Sequence, residues 1–142
     1  MNQGVIFAII AAIAFAVWTV FHQKASSHIN NLFGAIIVSL TAVILGLIFL
    51  LPKIKSTVLY TNPKGIIFAA LAGVFALGID IFVLKAYGSG LPISIGGPII
   101  IGGSIALATL IGFFLGESIT LMKVLGLILI IAGSGILAAI SG

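Results

Sequence analysis

Five apolar stretches separated by short polar segments set the plan of the chain. Gly4 to Phe21 holds no charged residue, and at ~1.5 Å per residue a helix of that length crosses the ~30 Å hydrocarbon layer of a bilayer. A polar linker, His22 to Asn31, separates it from a second run that Pro52 ends. Three further runs follow. The pattern predicts helices at about 4–22, 32–51, 65–87, 92–116 and 120–140, and so an all-α integral membrane protein with a single five-helix domain over residues 1–142. A signal peptide is the competing reading of the first run, but Met1-Asn2-Gln3 has no basic side chain and the run is longer than a signal core.

Small residues recur at helical spacing within these runs. Ala8, Ala12 and Ala16 form one ridge, and Ala35, Ser39, Ala42 and Gly46 another, as close helix packing in lipid requires. The fourth run is the most unusual. Pro98 removes the amide that would bond the Ser94 carbonyl, and the glycine pairs 96/97 and 102/103 lower the cost of unwinding nearby. A broken helix 4 is expected, with the Ser94 carbonyl and the backbone near Gly97 as polar ligands for a solute; the plainer reading of Pro98 is a kink that improves packing. Between helices 4 and 5, Leu115-Gly116-Glu117-Ser118 offers a helix-ending glycine and then Ser118 and Thr120 as caps.

Composition closes off the soluble alternatives. Of 142 residues 62% are hydrophobic and 6% charged, and the mean hydropathy is +1.47, whereas a soluble domain carries about 25% charged residues. The net charge of +4 comes from six lysines at the ends of the runs. They orient the chain in a membrane and make no clustered face for nucleic acid. One side collects Lys53, Lys55, Lys64 and Lys123 and the other Lys24 and Lys85, so the positive-inside rule puts the N-terminus in the cytoplasm of a cell-membrane protein, with dual topology as the alternative. There is no cysteine, no metal-ligand spacing, no nucleophile with a base and no phosphate loop. Neither an enzyme nor a cofactor or metal site is expected.

Asp80 is the acid inside a span, and it costs ~2.5 to 3.5 kcal/mol at mid-bilayer on insertion scales, so it faces the bundle interior or water. Gly73, Ala76, Leu77, Leu84 and Tyr87 lie near its face, which makes that face rather small-sided. It serves either transport or a structural role, as an internal ion pair or as a protonated carboxyl hydrogen-bonded to a neighbour. His22, Lys24 and Lys85 fall toward the same side of the membrane, and there interfacial anchoring is the plainer role. Trp18, one turn before His22, is a cavity-lining ring or an interface-belt aromatic. Gly112 with Gly116 makes a small-xxx-small pair suited to packing.

Taken in order, Ala86-Tyr87-Gly88, Pro98, Phe114-Leu115-Gly116-Glu117 with Thr120, and then Gly126 and Gly133 resemble one repeat of an EamA-type transporter of the drug/metabolite transporter superfamily. The resemblance implies a carrier of small organic solutes, a metabolite, an amino acid or a drug, working by alternating access through a cavity lined mainly by helices 1, 3 and 4. With the residues read above, this makes Trp18, His22, Asp80, Tyr87, Ser94, Gly97 and Pro98 the candidate solute contacts, Asp80 the candidate for proton coupling, and Glu117, Gly112, Gly116, Gly126 and Gly133 candidate structural residues. The family usually has ten helices in two inverted halves. A chain with one half is expected to complete its cavity by pairing, as a homodimer, parallel or antiparallel. The related small multidrug resistance proteins pair antiparallel and carry a glutamate in the first helix, which is absent here. The rival reading is a non-transporting subunit packed against a larger membrane protein.

Overall fold

The computed structural model describes residues 3–140; the outer ends of the expected 1–142 domain, residues 1–2 and 141–142, lie outside the described residues. Five α-helices follow one another: α1 (Gln3–Ser26), α2 (Asn31–Leu50), α3 (Pro63–Gly88), α4 (Ile93–Phe114) and α5 (Leu121–Ala139), with a single turn of 3-10 helix at Leu51–Lys53. All five are long and apolar enough to cross a membrane. Large side chains such as Phe49, Phe68 and Phe75 stand exposed along them. Water would penalise that surface, and hydrocarbon does not.

Helix ends follow local chemistry more closely than hydropathy. The expected linker from His22 is helical as far as Ser26, because Gln, Lys and Ala continue a helix well and no glycine or proline interrupts it. Asn30 caps α2 by accepting from the amides of Leu32 and Phe33 at 3.0 and 3.3 Å, worth about 1 kcal/mol. Pro63 opens α3 at the position where its missing N–H costs nothing. Asn62 caps it through the Lys64 amide at 2.9 Å.

Where a broken helix was expected, α4 is continuous through Pro98. Pro98 is early in the helix, so one bond to Ser94 is lost while the turns on either side hold. At the other end Gly116 adopts φ +92°. The Gly116 amide donates to the Phe113 carbonyl at 3.1 Å, and the Glu117 amide to Gly112 at 3.0 Å. These are the two bonds of a Schellman stop. Thr120 then caps α5 by accepting from the Lys123 amide.

The contacts divide the chain into two compact units: the described residues up to Val20 with those from Ser89 on, and residues 21–88. The first holds most of α1 with α4 and α5, and α4 packs along α5. Ser134 on α5 donates to the Pro98 carbonyl at 3.1 Å. In the second unit α2 packs on α3. Ala35 and Leu84 are its most buried apolar residues, and the backbone of Gly34 lies against the end of Leu84 so closely that an added Cβ would stand 2.8 Å from it.

Candidate functional site

Within residues 21–88, the last turns of α1 meet the last turns of α3. His22 Nε2 and Asp80 Oδ1 are 3.1 Å apart, with the two residues 4% and 6% exposed. An ionised Asp80 accepts from the ring's Nε2–H, whereas a protonated one donates to Nε2, so the tautomer sets the direction of this bond. The extra turn of α1 beyond His22 supports this geometry, since it keeps the imidazole within a helix and not at its frayed end. Ser26, one turn on, is also buried, its hydroxyl donating to the Gln23 carbonyl. Its own carbonyl would stand 3.3 Å from a Cβ on Gly88, so the end of α3 packs on the end of α1.

Asp80, Val83, Leu84 and Tyr87 form the buried face of α3. The Tyr87 hydroxyl is enclosed and has no hydrogen-bond partner among the described residues. Leaving such a group unmatched costs roughly 1–3 kcal/mol. Lys85 points off this face, its Nζ 6.0 Å from the Phe82 ring, and Lys24 is exposed.

The other unit contains a groove of about 600 Å³. Ala16, Thr19 and Val20 of α1 form one wall, Gly97, Pro98 and Ile101 of α4 the floor, and Gly133 and Ser134 of α5 lie opposite. Thr19 donates to the Phe15 carbonyl and Ser134 to Pro98, so the groove is apolar with two hydroxyl oxygens whose lone pairs remain free to accept. A volume of that order suits a small organic molecule. Trp18 is half-buried and tilted against Phe15, with the ring centres 4.8 Å apart. Ser94 is exposed.

The residues expected to be structural divide in two. A Cβ on Gly112 would meet the Glu117 carboxylate at 3.0 Å, and Glu117 also faces Lys123 at 3.6 Å. Glu117 thus lies in the turn, folded back on α4, and not in the first turn of α5 where the helix dipole would favour it. Gly126 and Gly133 have open space where a side chain would stand. Thr19 and Ser134 escaped the sequence reading. Thr19 falls on one helical stripe with His22 and Ser26, a spacing legible in the sequence; Ser134 gives no such signal. Among the described residues no cluster of His, Asp or Glu is able to hold a metal ion.

No solved structure matches the chain. An uncharacterized protein of Methanocaldococcus jannaschii is 33% identical over 138 residues, which is 94% of each chain. The EamA-like transporter family matches residues 2–139. A multi-pass helical protein whose sequence fits that family over nearly its whole length, the chain belongs to the EamA-like transporters of the drug/metabolite transporter superfamily.

Proposed function

We propose that the chain is a carrier of small organic solutes, working as a dimer by alternating access and coupled to protons through Asp80. The observation that carries this reading is the buried His22–Asp80 pair. Ionisable groups inside a span are expensive, and one kept there is a functional candidate. Both partners of the pair carry protons that exchange, and the two side chains share one hydrogen bond inside the span.

Solute contacts are assigned to His22, Asp80 and Tyr87 in one unit and to Trp18, Ser94, Gly97 and Pro98 in the other. The unmatched Tyr87 hydroxyl and the groove over Gly97 and Pro98 support these assignments. Open space at Gly126, Gly133 and Gly135 supports pairing, because another helix can approach the backbone there. An inverted second copy would supply the other half of a ten-helix cavity.

The test is flux in proteoliposomes, with a solute chosen by its effect on melting temperature. Asp80→Asn keeps size and hydrogen bonding but cannot titrate. It should abolish flux or its pH dependence while leaving the assembled protein intact, and unchanged flux from acid to alkaline pH would leave Asp80 structural. The satisfaction of Asp80 within one chain also suits a non-transporting subunit. A purified chain that neither binds nor moves any solute would favour that second reading.

A further inference from the structure

The six lysines face two acids, and both acids are already engaged. Asp80 is paired with His22 and Glu117 with Lys123. The segment joining α2 to α3 contains Lys53 and Lys55, with Lys64 just beyond, and it has no acid. No described carboxylate lies within ion-pair distance of these three. Among the described residues their charge is unanswered, which leaves them open to an external anion.

The same segment carries apolar side chains in an unusual setting. Residues 51–64 are exposed throughout, including Ile54, Leu59, Tyr60 and Val58 at 78%. It is also the longest connection between the described helices, spanning 51–62 against 27–30, 89–92 and 115–120. The Ser56 amide and hydroxyl both donate to the Lys53 carbonyl, at 3.0 and 3.1 Å, which folds its first half into a compact turn. Lys64 is in the first turn of α3, where a cation opposes the helix dipole and no acid offsets it. An external anion relieves that conflict.

We propose that residues 51–64 dock on anionic phospholipid headgroups, with Lys53, Lys55 and Lys64 on the phosphates and Val58, Leu59 and Tyr60 seated at the interface. Aliphatic side chains and a tyrosine suit that depth, and lysines beside it are drawn to an anionic surface. Charge complementarity selects this partner: a zwitterionic surface leaves three cations unanswered. The inference does not depend on whether the chain transports anything.

The chain has no cysteine, so Val58→Cys carrying an environment-sensitive dye reports the segment alone. The full chain is placed in nanodiscs of phosphatidylcholine containing increasing phosphatidylglycerol. The emission should shift to the blue as phosphatidylglycerol rises and return in high salt. Each of Lys53→Gln, Lys55→Gln and Lys64→Gln should weaken binding to the anionic surface by roughly fivefold and so move the response to a higher phosphatidylglycerol fraction, and the triple variant should not respond. Inorganic phosphate should leave the signal unchanged. Emission indifferent to phosphatidylglycerol, a full response in the triple variant, or an equal effect of inorganic phosphate would each overturn the proposal. Helicity and elution of the variants serve as the folding control, and the single substitutions decide the matter should the triple variant fail it.

Discussion

Ser134 occupies the space that a side chain on Gly102 would need: a Cβ there would collide with the Ser134 hydroxyl, which reaches past it to the Pro98 carbonyl. Gly102 is therefore what lets α5 bond to α4 just beyond the proline. Gly102→Ala should force Ser134 off Pro98 or part the helices, destabilising by about 1–3 kcal/mol. Ser134→Ala alone should cost about 0.5–1.5 kcal/mol. Because the added methyl then has room, the double variant should be more stable than the two losses summed, and a thermal-unfolding cycle in detergent reads the difference.

The buried pair of α1 and α3 should behave as one unit. Asp80→Ala or His22→Ala strands a buried polar partner, and each should cost on the order of 2–4 kcal/mol. His22→Leu with Asp80→Leu removes both and should recover much of that loss, although it should abolish any transport. Unfolding midpoints together with flux separate these two effects.

The turn before α5 allows a ranking. Gly116→Ala puts a side chain at φ +92° and should cost roughly 1 kcal/mol or more. Glu117→Gln loses an exposed pair with Lys123 and should change stability by less than about 0.5 kcal/mol. If Glu117→Gln proves the costlier in unfolding experiments, the charge of Glu117 and its pairing with Lys123 matter more than the glycine turn.

Antiparallel pairing predicts both orientations in one membrane. Cysteines at Asn2 or Ser141, outside the described residues, should be labelled by an impermeant reagent in part from each side. Labelling from one side only would leave a parallel dimer or a different partner.

The apolar runs disclosed the helices because each fills a span with few or no charges, and the few polar residues within them disclosed Asp80 and His22. The turn of α1 beyond His22 was hidden by its polarity, since hydropathy cannot distinguish a helix leaving the bilayer from a loop. A continuous α4 was hidden for another reason: the effect of a proline depends on how near the helix start it falls. The bond between Ser134 and Pro98 spans 36 residues and depends on a glycine opposite, so no single position announces it. Nor does anything local reveal that the Tyr87 hydroxyl goes unmatched.

That hydroxyl makes Tyr87 a gauge of compromise between endurance and activity. A phenylalanine would keep the ring and its burial, and would shed an oxygen left unmatched among the described residues. Tyr87→Phe should therefore melt no lower than the parent, and up to several degrees higher. If the same variant moves solute poorly, the oxygen is retained at the expense of robustness, and the temperature gained measures what the working protein gives up to keep it.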